Sequence, residues 1–184
     1  DYAYSHDLVG NVTKIVESET LFDIPAMFPA ASAEEVQKLD WLKPHFVTDD
    51  WKGRMSIHAL VVETPELTIV VDTCIGNDRD RMPYAANSHQ QTAFLEHFAE
   101  AGFDRDRVDV VLCTHLHFDH VGWNTMLVNG HWAPTFPQAR YLMGRVEFEH
   151  WSKPQGGRED MVAVFGDSVQ PVFDAGLVDL VETD

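Results

Sequence analysis

The stretch 113-CTHLHFDHVGWN-124 decides how this chain is read. Three histidines and an aspartate lie between His115 and His120, directly after the apolar run 108-VDVVLC-113. Alternate residues of an extended segment point to the same side. His115 and His117 are therefore expected to face one point, with Leu116 and Phe118 turned into the core. Asp119 and His120 follow where the chain should turn, with Gly122 permitting the turn. A lone histidine at a strand end is ordinarily a core or surface residue. Four ligand-type residues in six positions are poorly explained by chance packing. Imidazole nitrogen and carboxylate oxygen suit zinc, and iron, manganese or cobalt at related sites. The pattern predicts a centre for two closely spaced divalent ions.

Outward from this loop, 55-MSIHALVVE-63 and 67-LTIVVDT-73 read as two strands of a hairpin, broken by 64-TPE-66. The second is apolar on both faces, as in a central strand. Residues 90-QQTAFLEHFAEAG-102 space Phe94, Leu95, Phe98 and Ala101 as the apolar face of a helix closed by Gly102. A first strand is expected over 9–18, a loop over 19–32 and a loop over 45–53. Ser32 and Glu35 form a capping-box pattern for a helix over 33–42, ended by Pro44. Further on come a strand at 139–144, a short helix at 145–151, a Gly-rich break at 154–157, a helix near 159–166 and a strand at 177–183. This mixed order points to an α/β or α+β fold with a largely buried sheet.

The chain has 184 residues, 45% hydrophobic and 23% charged, which suits a single domain over 1–184 with a real core. Its formal net charge of −17 opposes binding to phosphate backbones and anionic lipid, so neither nucleic acid nor membrane is an expected partner. Two cysteines, Cys74 and Cys113, make no disulfide framework and are expected as buried thiols. No apolar run is long enough to span a bilayer. The location expected is the cytoplasm, although the missing initiator Met also fits removal of a signal peptide.

His115-x-His117-x-Asp119-His120 resembles the H-x-H-x-D-H signature of the metallo-β-lactamase superfamily. The segment 67-LTIVVDTCIGN-77, an apolar strand ending in Asp72 before a Gly-containing loop, is similar to that family's earlier motif. The resemblance covers about residues 55–150, and HLHFDHVG is closest to the branch of N-acyl-homoserine lactonases and methyl parathion hydrolase. It implies an αβ/βα sandwich with only the first αβ half well represented here, as the N-terminal part of a longer fold. It implies His115 and His117 on a first metal, Asp119 and His120 on a second, and Asp72 beside the site in a positioning role. The two cofactor ions would be zinc first, with iron, manganese or cobalt as alternatives. They would activate a water for attack on a small lactone or related ester, with Asp119 as the catalytic group handling the water's proton. Phosphotriesters and thioesters, as in glyoxalase II, are the alternative substrates. A catalytically inactive scaffold with a vestigial metal loop is the alternative of another class. A homodimer is among the expected assemblies. Oxidoreductase members carry an acidic residue where this chain has His117, which counts against that role.

The pattern is incomplete. The family completes its site from a second half, with a third His in a Gly-His motif, a bridging Asp and a last His. Here the later histidines are His131, in the expected turn 129-NGHWAP-134, and His150, and both are expected to be structural or surface residues. Arg79 and Arg81 are expected in a solvated charged loop, with contact to an anionic substrate as the functional alternative. Trp123 is expected either to pack or to line a pocket. Leu21, Phe22, Ile24, Met27, Phe28, Phe46 and Trp51 are expected to pack under a long loop, with a hydrophobic lid or dimer contact as the alternative. His58 is expected as an ordinary strand histidine.

Overall fold

A computed structural model of the chain describes residues 3–6, 10–153 and 159–182. It divides into two compact units, Asp1–Glu17 with His58–Asp184, and Ser18–Ile57.

In chain order the elements are β1 (Ala3–His6), β2 (Gly10–Phe22), α1 (Ile24–Met27), α2 (Ala33–Val36), β3 (Gly53–Glu63), β4 (Thr68–Val71), α3 (Phe94–Glu100) and β5 (Val110–Leu112). There follow α4 (Phe118–Val121), β6 (Thr125–Val128), β7 (His131–Pro134), β8 (Arg140–Gly144), α5 (Arg145–Trp151), α6 (Glu159–Val164), a π-turn (Phe165–Val169), α7 (Gln170–Asp174) and β9 (Val178–Val181). Among the described residues seven strands form one mixed sheet in the order β1-β2-β3-β4-β5-β8-β9, while β6 and β7 form a separate hairpin.

The core follows from the register. Val61 pairs with Val70, Val70 with Val111, and Val111 with Tyr141. All four side chains are fully buried, and they form one row across the sheet. Each such side chain contributes about 1.5–3 kcal/mol through removal of apolar surface from water. Because β4, β5, β8 and β9 run parallel, their C-terminal ends share one edge. In parallel sheets that edge is where ligand sites form. Asp72 follows β4 there, the histidine segment follows β5, and α5 follows β8.

The 55–63/67–73 hairpin, the β5 strand and the 145–151 helix stand where the sequence places them. Other expectations change. The first strand runs on to Phe22, and the expected loop contains α1, capped by Asp23 Oδ1 accepting from Ala26 N at 3.1 Å. The helix expected over 33–42 is the single turn α2 and a separate 3₁₀ turn at Asp40–Leu42, so it ends well before Pro44. Ser32 Oγ does accept from Glu35 N at 3.3 Å, but the Glu35 carboxylate pairs with Lys38 at 2.6 Å. Val36 alone is buried in α2, and a helix with no apolar face to pack does not propagate. The α3 helix is shorter than 90–102, and it buries Phe94 and Phe98 but leaves Ala101 exposed. The helix near 159–166 continues through the π-turn into α7. The Gly-rich break at 154–157 lies outside the described residues, as does Thr183 of the last strand.

The β6/β7 hairpin is unanticipated. Asn129 (φ 51°) and Gly130 (φ 81°) form its two-residue turn, as an Asn-Gly pair favours. His131 thus begins a strand and does not belong to the turn.

In the smaller unit, Val47 and Val36 are buried, while Leu21, Met27, Phe28 and Phe46 are exposed. These four therefore do not pack as a core under a loop. Phe28 meets Phe22 edge-on at 6.1 Å and Phe46 meets Trp41 at 5.9 Å, so the cluster is held together at its own surface.

Candidate metal centre

After β5 the chain keeps its hydrogen bonds while changing direction. Cys113 N donates to Leu142 O at 3.0 Å. Thr114 N donates to Asp72 Oδ1 at 2.8 Å, and the Thr114 hydroxyl to Asp72 Oδ2 at 2.7 Å. Leu116 turns into the core as expected. Phe118 does not, because α4 begins there and leaves it half-buried, stacked on Tyr84 with ring centroids 5.0 Å apart. His117 stands at the N-cap of α4, and Asp119 and His120 lie within that helix.

The histidine rings are neighbours. His115 lies 4.7 Å from His117 and 3.9 Å from His120 between ring centroids. His120 Nδ1 bonds Asp72 Oδ2 at 2.7 Å, and His120 Nε2 is 3.6 Å from Asp119 Oδ2. The structure thus brings His115, His117, Asp119, His120 and Asp72 to one place at the sheet edge. Among the described residues, however, no group of three or more His, Cys, Asp or Glu side chains is arranged to hold a metal ion.

The electrostatics are local. Burial works to raise the Asp72 carboxyl, but hydrogen bonds from His120 and Thr114 outweigh it and hold the group below the usual carboxylate range. Burial works to lower His120, and the bond to Asp72 with the nearby Asp119 charge outweighs that, so its pKa is raised. His115 is lowered by burial and by the other two imidazoles, which favours the neutral ring a metal ligand needs. Burial pushes the Cys113 thiol up to about 12 and Cys74 well above its ordinary range, so both are inert buried thiols, as expected.

Backbone hydrogen bonds lock the Asp72 loop to the histidine segment. Thr73 N donates to His120 O at 2.7 Å, Gly122 N to Cys74 O at 2.8 Å and Trp123 N to Thr73 O at 2.7 Å. Asp72 (φ 57°) and Cys74 (φ 54°) adopt left-handed backbone to make this fit, a conformation that costs a side-chain-bearing residue about 1–3 kcal/mol. Gly122 has an ordinary helical φ of −57°, so it is not there for the turn. A Cβ on Gly122 would stand 1.8 Å from Ile75 O, so the glycine serves close approach between the two segments.

Two supporting residues escape sequence reading. Glu17 is buried, and its carboxylate accepts from Ile75 N (2.8 Å), Gly76 N (3.0 Å), Trp123 Nε1 (2.7 Å) and Thr92 Oγ1 (3.3 Å). Its signal was its parity with Ile15, which places an acid on the inward face of β2. Trp123 consequently packs in the interior, stacked on Phe94 at 5.6 Å. Glu147 of α5 accepts from Leu116 N at 3.1 Å and from Trp151 Nε1 at 3.0 Å, and Trp151 meets the His117 ring at 5.6 Å.

Arg79 and Arg81 are neither solvated nor offered to a substrate. Their side chains are 0% and 1% exposed, and each pairs with Asp167 at 2.8 Å. His131 and His150 are exposed, as expected of surface residues, and His58 is half-buried in β3.

Comparison with known proteins agrees with this architecture. The family model described as the Metallo-beta-lactamase superfamily matches residues 53–182, more than half of the chain. Among solved structures, AidC, a dizinc quorum-quenching lactonase in complex with a product, superimposes with a TM-score of 0.70 at 18% identity, over 100% of this chain and 60% of AidC. The hydrolase AbOPH of the beta lactamase superfamily gives 0.67 at 20% identity, over 98% of this chain and 60% of its own. A structure described as "a probable metal-dependent hydrolase from Staphylococcus aureus" gives 0.68 at 19% identity, over 95% and 60%. The chain thus spans about 60% of the length of these structures. No curated protein sequence matches it.

Proposed function

The chain belongs to the metallo-β-lactamase superfamily, and from that premise we propose that it is the metal-loop half of a metal-dependent hydrolase acting on a small lactone or related ester. The observation that carries the reading is the convergence of His115, His117, Asp119 and His120 at the parallel-strand edge, with Asp72 bonded to His120.

The donor set fits divalent cations, since it offers imidazoles and a carboxylate and both cysteines are buried and neutral. His115 and His117 would hold one ion, and Asp119 and His120 the other. Two such ions, when bound, supply a nucleophilic water at neutral pH and polarise the substrate carbonyl. Asp72 accepts the Nδ1 proton of His120, which fixes the tautomer and frees Nε2 as the donor atom on the Asp119 side. Asp119 also serves as the acceptor for the attacking water's proton. Glu147 and the Thr73–His120 hydrogen bond anchor the backbone at both ends of the loop, which limits its freedom before any metal is bound.

Metal analysis of the full-length protein, alongside turnover of lactone, phosphotriester and thioester panels, tests this. About two ions per chain with lactone turnover is expected, following the two-metal pattern of such sites. A full-length protein that binds no metal would support a scaffold and overturn the reading.

A further inference from the structure

Arg79 and Arg81 are two buried guanidinium groups that share one carboxylate, Asp167, in the π-turn between α6 and α7. Burying a charge is costly, and a buried ion pair by itself is weak grounds for stability. Two cations on one anion are weaker still, so the arrangement calls for another explanation. The two arginines differ in what else they reach. Arg81 bonds Asp80 O, the Asp167 carboxylate and Ser168 Oγ. Arg79 Nη2 instead faces Gly122 O, Thr125 O at 2.6 Å and Thr125 Oγ1 at 2.7 Å. Its guanidinium carbon also lies 4.1 Å from the centroid of the Trp132 ring on β7. The Thr125 hydroxyl donates in turn to Asp167 O at 2.6 Å.

Gly122 O belongs to the end of the helical run that begins with Phe118 and continues as a 3₁₀ turn to Asn124. Gly122 O already accepts from the Thr125 backbone N–H, which closes the 3₁₀ turn, and Arg79 adds a second, charged donor at this C-terminal end, where a cation is favourable. That same run carries Asp119 and His120. We propose that Arg79 is a positioning residue for the metal centre, clamping the C-terminal end of the Asp119–His120 segment onto Asp167 and the π-turn. The inference rests on the hydrolase reading only for the identity of the site it positions.

The two arginines make the test. Arg79→Met and Arg81→Met each leave one guanidinium on one carboxylate, so they remove the same charge from the same cluster. Only Arg79→Met also frees the Gly122–Thr125 end. Zinc is titrated by calorimetry into metal-stripped full-length protein of each variant. Arg79→Met is expected to weaken the weaker zinc equivalent about tenfold or more, the usual scale for losing a ligand's support, while Arg81→Met leaves it unchanged. A second readout is independent of metal and of turnover. In the stripped protein the His120 Nδ1 proton, held by Asp72, should give a downfield NMR signal that Arg81→Met keeps and Arg79→Met loses. If Arg79→Met does not fold, Thr125→Val takes its place. It keeps the ion pairs, removes the hydroxyl link and should show the same two changes in smaller measure. Equal effects from both arginines, or none from Arg79→Met or its substitute, overturn the clamp. A signal kept by Arg81→Met and lost by Arg79→Met, together with no hydrolysis by the wild-type protein, overturns the functional reading and leaves the clamp standing.

Discussion

The two ends of β4 and β5 are built alike but have different surroundings. At the N-terminal end, Asp109 Oδ2 accepts from Thr68 N at 2.8 Å, one strand's carboxylate holding its neighbour's backbone. At the C-terminal end, Asp72 Oδ1 accepts from Thr114 N, also at 2.8 Å. The cross-strand carboxylate is therefore a device of the fold and does not itself mark a site. The difference lies in the second oxygen. Asp72 Oδ2 also takes Thr114 Oγ1 and the His120 ring, which lies against His115, itself beside His117. The Asp109 end opens on a polar cavity of about 560 Å³ bordered by Glu63, Glu66, Asp104 and Asp106, with no histidine. The imidazole and carboxylate donors of the proposed site lie together at the C-terminal end, where Asp72 fixes the His120 tautomer.

The largest effect expected at the C-terminal end is chemical. In the full-length protein, His117→Ala or Asp119→Ala should abolish hydrolysis and cut metal occupancy. A variant with wild-type lactone and phosphotriester turnover would place the site elsewhere.

Next in size is a contrast between two glycines. Gly122→Ala would drive a methyl group to 1.8 Å from Ile75 O, so the Asp72 loop and the histidine segment must part. A loss of about 3 kcal/mol or more is expected by urea unfolding, as for severe overpacking. Gly102, at φ +95°, has open space around it. Gly102→Ala should therefore cost only about 1 kcal/mol, from the positive φ. Equal losses would mean that close approach at Gly122 is not the constraint.

The aspartates give a smaller and sharper contrast. Asp72→Asn should weaken metal binding about 10- to 100-fold, the cost of losing a ligand's hydrogen-bonded support. Asp109→Asn should leave metal binding unchanged and cost about 1 kcal/mol of stability, the worth of one hydrogen bond.

The smallest effect is in the pH dependence of the metal-free protein. Asp72 is held low, so its contribution is present above the ordinary carboxylate pKa and lost as pH falls through the lowered folded value. His120 is raised, so its contribution is full below the ordinary imidazole value and lost as pH rises through the raised folded value. The pair should stabilise most between about pH 4 and 6.5, from the ordinary values of the two groups. Asp72→Asn should flatten that window in a series of thermal melts, and Asp109→Asn should preserve it.

Much of the centre was legible because its ligand-type residues are adjacent in the chain. Period-two geometry required no knowledge of the fold to bury Leu116 between two histidines. Phe118 broke the same rule because α4 starts one residue earlier than strand alternation assumes, which also put Asp119 and His120 on a helix. Glu17 and Glu147 were illegible as supports because each reaches the Asp72 loop or the histidine segment from another strand or helix, 58 and 31 residues away from the Ile75 and Leu116 amides they accept from. Arg79 and Arg81 misled for the same reason. In 77-NDRDRM-82 they look like a solvated loop, and the Asp167 that buries them lies 88 and 86 residues on.

By itself the sequence determined the two motifs that carry the family resemblance and the strands that flank them, because local spacing and hydrophobic period are written in consecutive residues. The tertiary structure alone decided which further carboxylates hold the proposed site in place. Glu17, Glu147 and Asp167 are indistinguishable as charges in a chain of net −17. Only folding, by withdrawing each from water and giving it particular donors, separates a positioning group from a solvated one.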